Sequence, residues 1–430
     1  MVNIIDFPKE IMDKIFAYYI ATEKQSNFYL CISKVCEEWN SICKDYIFWR
    51  KFDGSLSEDY LYQLCKSGYL SKTEELVYSL SKKKFSAEAL TIFQYLPNLK
   101  RIDFSKVRHL DESTITYVAI HCKMLREIKF SQEDYSFELQ KLGYNIKKRH
   151  DMIFQMYKIS PEMLNDFLTI RGQNMIVIDL SHSEIASFTK LLVLIADCCH
   201  NLEKLFIENI KHAGKSTFPI DVVQKNCRKI KDLRLSFPVT FSQHQIKSLS
   251  GFPHLETFSL PNNAEGSFTD KDLNNILFDS QSLKTLDIRG CKSISIYGVL
   301  SLPATQLENL YLSGTQLHLT LRLRDILTTR VKSLRTLDVS RTSSDSINQV
   351  LSSLVLEDRM VELEYLDVSN TRINEKTVCI ILENCNKLTS LNLTSCRSMG
   401  RGFNQNYLGR AKIKKLHRDL ILLNSIDPFD

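Results

Sequence analysis

One spacing rule runs down most of this 430-residue chain: apolar, two free positions, apolar, one free position, apolar. It reads Leu99-Ile102-Phe104, Leu125-Ile128-Phe130, Met175-Ile178-Leu180, Leu202-Leu205-Ile207, Ile230-Leu233-Leu235 and Leu255-Phe258-Leu260. It continues as Leu283-Leu286-Ile288, Leu307-Leu310-Leu312, Leu334-Leu337-Val339, Leu363-Leu366-Val368 and Leu388-Leu391-Leu393. A degenerate first copy, Thr73-Leu76-Tyr78, precedes them, and a weaker one, Phe154-Tyr157-Ile159, falls in the single long gap. Thirteen starts with a mean spacing of about 26 residues lie in the leucine-rich-repeat range. The alternation within each copy is that of a short strand, and the residues after it read as a turn and then a helix. Ser160-Pro161 and Asn374-Glu375 are two such helix starts. A unit this small cannot bury its apolar face alone, so the copies must stack, with parallel strands on the concave side and helices on the convex side. A stack of this kind presents a long surface to another macromolecule.

Apolar residues make up 43% of the chain, a globular proportion. The longest apolar run, Leu191 to Ala196, is far too short to span a membrane. The first residues lack a basic stretch followed by an apolar one, so a soluble intracellular protein, cytoplasmic or nuclear, is expected. Net charge is +6, of which +4 lies in the tail from Arg397 onward, so the repeats carry no basic stripe of the kind a nucleic-acid binder would show. Of twelve cysteines, Cys122, Cys199, Cys227 and Cys385 each precede a repeat's first apolar position by three residues. Cys291 and Cys396 follow the third apolar position by three. That register marks them as buried, reduced structural thiols rather than metal ligands.

The first fifty residues differ. Phe7-Pro8 opens a helix in which Ile11, Ile15 and Tyr19 recur at four-residue spacing beside Met12 and Phe16. Val35-Cys36, Trp39 and Phe48-Trp49 come next, and these are the only two tryptophans in the chain. The ordered set Pro8, Ile11, Ile15, Phe16, Val35, Cys36, Trp39 and Trp49 resembles the F-box, with Phe7 in place of the usual leucine and a longer link through Ala21 to Asn27. With the repeats, the chain resembles the F-box/leucine-rich-repeat proteins. The resemblance implies an α/β fold: a helical F-box over 1–52, a curved repeat solenoid over 53–396 with about thirteen repeats, and a basic tail or cap over 397–430. Residues 132–150 read as a polar loop protruding from an eroded repeat. It also implies a substrate receptor of a Skp–cullin–F-box ubiquitin ligase, promoting ubiquitination and proteasomal degradation. Phe7, Pro8, Ile11, Ile15, Val35, Cys36, Trp39 and Trp49 would then bind a Skp-family adaptor and, through it, a cullin. Other readings stay open: an F-box scaffold working outside a ligase, or a nucleic-acid or membrane-surface binder using the basic tail.

No phosphate-binding glycine loop, helical His-Glu-x-x-His or nucleophile elbow occurs, and neither metal nor cofactor is implied, so a non-catalytic role is expected. Substrate choice would lie at the free positions of the strands. In the C-terminal half these are acidic and aromatic: Asp287, Tyr311, Asp338, Tyr365 and Asp367. That mixture suits a basic protein segment, although aspartate there is equally explained as a solvated strand residue.

Overall fold

The computed structural model describes residues 7–22, 31–54, 58–80, 90–107, 110–130, 158–212, 217–236, 240–241, 250–263, 268–315, 333–342, 346–357, 360–400 and 402–425. The chain divides into two compact units, Met1–Leu202 with Ile210–Ala213, and Glu203–Asn209 with Gly214–Asp430.

In the first unit, helix α1 (Lys9–Thr22) packs on α2 (Glu37–Cys43) and α3 (Tyr46–Trp49). Five strands come after them: Lys51–Gly54, Glu75–Leu80, Arg101–Val107, Glu127–Lys129 and Val177–Asp179. They pair in parallel, each placing its second apolar residue beside the next, as in Phe52↔Leu76, Leu76↔Ile102, Ile102↔Ile128 and Ile128↔Ile178. Two sequence expectations are corrected here. The strand Lys51–Gly54 lies at the end of the segment assigned to the F-box, yet it pairs with the first repeat, Trp49 and Phe52 taking the first two apolar positions. The copy read at Phe154-Tyr157-Ile159 adds no strand to this sheet, because Glu127–Lys129 pairs directly with Val177–Asp179. Ile159 instead joins a small parallel sheet with Ile185 and His212. Residues 132–150 lie outside the described residues, as do Phe154 and Tyr157.

In the second unit eight parallel strands run from Lys204–Glu208 to Ser390–Asn392. An antiparallel strand, Asn406–Leu408, then covers the last edge. Edge strands left open invite pairing with other chains, and this one is closed by the tail itself. Helix Arg410–Ser425 follows and buries Ile413, Leu416 and Leu420.

Eight described repeats leave their strands in the same way, whereas the one at Leu99-Ile102-Phe104 continues its strand through Val107. In those eight the backbone turns left-handed two residues past the third apolar position: at His182, Asn209, Asn262, Gly290, Gly314, Arg341, Asn370 and Ser395. Asparagine and glycine dominate because they tolerate that conformation. The helices begin where the sequence signals them: Ser160 accepts from the Met163 amide, and Asn374 from that of Thr377. Charged rungs cross neighbouring repeats, as in Lys100–Glu74, Lys231–Glu203 and Lys284–Glu256, at 2.7–3.0 Å. Lying at the surface or only partly buried, they chiefly reinforce register. No described helix is long and apolar enough to cross a membrane.

Candidate functional site

Helix α1 has two apolar faces. Met12 and Phe16 point inward, where the Phe16 ring meets Trp39 edge-on at 5.2 Å and Phe48 at 6.2 Å. On the other side Ile11, Ile15 and Tyr18 succeed one another at spacings of four and three, which places them on one helical stripe, and Phe7 stands just before the helix, four residues from Ile11. All four are exposed, Tyr18 to 73%. The Pro8 carbonyl starts the helix by accepting from Ile11 and Met12. Val35 is exposed as well, and Cys36 caps α2 through its sulfur, which accepts from the Trp39 amide at 3.4 Å.

Of the eight residues assigned to an adaptor, the structure therefore exposes Phe7, Pro8, Ile11, Ile15 and Val35. Cys36 and Trp39 are half-buried and hold the helices together. Trp49 is a correction: at 1% exposure it offers nothing to a partner. Its indole nitrogen donates to the Cys43 carbonyl at 2.5 Å, and its ring packs on Phe52 and edge-on against Tyr69. Tyr18 escapes a reading by sequence because the four-residue spacing from Ile15 leads to Tyr19, whereas the outward stripe advances by three at that point.

The helical domain is fastened to the start of the repeats through Tyr69, which donates to the Asn40 side chain and lies under Lys44 at 5.4 Å, while inside the domain Lys9 pairs with Asp45 at 2.8 Å. The Lys9 ammonium, bonded to the Asp45 carboxylate, holds that acid below its ordinary pKa. An apolar stripe mounted this firmly binds a partner with little loss of internal freedom.

In the second unit the strand register sets Asp287, Tyr311, Asp338, Asp367 and Asn392 side by side on five successive strands. Tyr365 lies two residues back on the same face, its hydroxyl 3.3 Å from the Asp367 carboxylate. These aspartates also have a structural task. Asp287, Asp338 and Asp367 each accept the backbone amide two residues on, from Arg289, Ser340 and Ser369, and Asp103, Asp179 and Asn392 do the same in their own repeats. These aspartates and Asn392 thus cap the turns after their own strands. The carboxylates differ in their second oxygen. Asp287 is gripped by Arg289 at 2.6 and 2.9 Å, a pair that sequence reading missed because Arg289 lies beyond the apolar grammar. Asp338 and Asp367 adjoin each other with no cation paired to either among the described residues. Burial, and then repulsion from Asp367, holds the Asp338 carboxyl above its ordinary value despite its Ser340 donors. Burial beside Asp367 and Asp338 pushes the Tyr365 hydroxyl up to about 12.

The cysteines at repeat positions are buried, and the Cys291 and Cys396 thiols reach the Leu260 and Val368 carbonyls of the preceding repeat at 3.1 and 3.2 Å. Thr371, at the equivalent position of its own repeat, donates to Val368 at 2.6 Å.

The F-box domain family matches residues 4–51. No curated protein sequence matches the chain. Among solved structures, the crystal structure of the Rad7 and Elc1 complex in yeast contains a similar chain, with a TM-score of 0.51 and 14% identity over 91% of this chain and 90% of that one. At that identity the likeness speaks to the fold. The chain carries an F-box followed by stacked leucine-rich repeats.

Proposed function

We propose that this F-box chain with leucine-rich repeats is the substrate-binding subunit of a Skp–cullin–F-box ubiquitin ligase. The observation that carries the proposal is the exposed stripe Ile11, Ile15 and Tyr18, with Phe7 just before it, on a helix whose opposite face is locked into the protein. Large apolar side chains held outward on a fixed helix are what a partner's hydrophobic groove takes up. A Skp-family adaptor is the partner that an F-box implies, with a cullin bound through it. The structural neighbour is itself a complex of two proteins, which supports a chain of this build working in an assembly.

The receptor performs no chemistry. It holds a protein near a charged ubiquitin-conjugating enzyme and so raises the effective concentration of the protein's lysines. The repeat row containing Tyr311, Asp338, Tyr365 and Asp367 is the surface we assign to that protein, whose segment would be basic. The tail helix favours a second reading, because Arg410, Lys412, Lys414, Lys415 and Arg418 are exposed and unpaired among the described residues, a charge pattern suited to a polyanion.

Full-length protein captured from cell extract, with and without Ile11→Asp and Ile15→Asp, tests the proposal. Adaptor and cullin should accompany the parent and not the variant, and the parent assembly should transfer ubiquitin to a captured protein. Capture with no ubiquitin transfer would favour a scaffold. Salt-sensitive retention of nucleic acid in place of adaptor would favour the tail.

A further inference from the structure

On its strand face the second unit holds one small arrangement twice. Asp232 binds Arg234 through two hydrogen bonds of 2.9 and 3.0 Å, and the guanidinium lies over the Phe206 ring of the adjacent strand at 5.2 Å. Asp287 binds Arg289 in the same forked way, and that guanidinium lies over the Tyr311 ring of the adjacent strand at 5.0 Å. In both, a carboxylate supplies the in-plane fork and an aromatic ring the stacking surface, a combination that selects guanidinium over ammonium. In both, the arginine comes from the chain itself, two residues after the aspartate.

A third set of the same parts stands beside the second. Tyr311, Asp338 and Asp367 occupy one register row, with Tyr365 hydrogen-bonded to Asp367. Here the positions two residues after the aspartates are Ser340 and Ser369, which cap the turns and bring no cation. Asn392 donates to the Asp367 carboxylate at 2.8 Å but is neutral. Asp338 is only 7% exposed, its charge faces that of Asp367, and Arg289, a cation that acts on it from the neighbouring repeat, is committed to Asp287. A desolvated carboxylate without a counter-ion is costly to keep and becomes favourable once a cation arrives.

We propose that Asp338, Tyr365 and Asp367, beside the Tyr311 ring that Arg289 already covers, form a vacant copy of this cradle and receive an arginine side chain from the bound protein. The proposal deepens the reading of the repeat face as a substrate surface and rests on it, while its chemistry is independent of the adaptor. The incoming guanidinium spans Asp338 and Asp367 and stacks on Tyr365, as Arg234 does on Phe206 and Arg289 on Tyr311. An ammonium would satisfy the charge but neither the fork nor the ring.

The test uses the full-length chain and two probes, acetyl-Gly-Arg-Gly-amide and acetyl-Gly-Lys-Gly-amide, with binding read from saturation transfer to the peptide in solution NMR. The arginine peptide should bind about tenfold more tightly than the lysine peptide, a difference near 1.4 kcal/mol. Asp338→Asn, which keeps an oxygen for the Ser340 amide, should abolish that preference. Asp232→Asn, in a filled cradle, should leave it intact. Equal binding of both peptides, an undiminished preference in Asp338→Asn, or no arginine-peptide signal at about 10 mM, beyond the millimolar affinities expected of one side chain, would overturn the proposal. Adaptor binding by the same samples separates the two readings: a parent that prefers arginine but binds no adaptor counts against the ligase assignment and leaves the cradle standing.

Discussion

The hydroxyl of Thr73 donates to the carbonyl of Trp49 at 2.8 Å across 24 residues of chain. Both residues are buried, and both begin a copy of the repeat grammar. Immediately after them, the Arg50 carbonyl accepts from the amides of Glu74 and Glu75. The Glu74 carbonyl then accepts from Lys100 and Arg101, and the Lys100 carbonyl from Arg126 and Glu127. The ladder that holds repeat to repeat therefore begins inside the F-box segment. The last tryptophan of the F-box pattern is the first rung of the stack, and the apolar stripe on α1 is carried by the same packed core.

Trp49→Ala should then act on stability rather than on the partner surface. Removing a fully buried indole costs about 3–5 kcal/mol. Thermal unfolding should shift strongly downward, while adaptor affinity measured on the folded fraction stays unchanged. A variant with normal unfolding and weakened adaptor binding would place Trp49 at the interface after all.

Thiol chemistry checks the repeat register. Burial pushes the thiols of Cys122, Cys291 and Cys385 up to about 12, whereas Cys31 is exposed. The thiolate is the reactive form, so at pH 8 an aromatic disulfide reagent should modify Cys31 quickly and those three only in denaturant. Mass spectrometry of the native adduct decides it, and rapid native labelling of Cys291 or Cys385 would refute the buried-turn assignment.

The Asp338 carboxyl provides a pH signature. Burial raises it above 3.8, so the folded chain holds this proton more tightly than the unfolded chain does. Its contribution to stability is complete at pH below the ordinary value and is lost as pH rises through the folded value. Asp338→Asn cannot titrate. The Tm of the variant minus that of the parent should grow as pH rises from about 4 to about 7. A difference that stays flat or shrinks would show that this carboxylate is adequately compensated without a ligand.

The repeats are legible because three apolar side chains must meet their neighbours at every rung, and that demand leaves a mark in the sequence. The rung at Trp49 and Phe52 is hidden because Gly54 stands where the third apolar residue belongs. The copy at Ile159 misleads because an alternating apolar pair fits a minor sheet as well as the main one. The expected row of Asp287, Tyr311, Asp338 and Asp367 comes from the two-residue period and the register. Its division into filled and vacant cradles does not, since Arg234 and Arg289 reach their rings only once adjacent strands are paired. On α1 the apolar residues are evident, but which of them face inward depends on Trp39 and Phe48, supplied by later helices.

The central claim is that an outward stripe of α1 joins this chain to an adaptor. The most direct measurement is the affinity of purified full-length protein for a recombinant Skp-family adaptor by calorimetry, comparing the parent with Ile11→Asp/Ile15→Asp and using thermal unfolding as the control for folding. Both isoleucines are 39% exposed, so the substitutions should leave Tm nearly unchanged. Loss of two central apolar anchors should weaken binding at least about a hundredfold, or 2.7 kcal/mol. Binding by the doubly charged variant at the parent's affinity, with normal unfolding, would contradict the account.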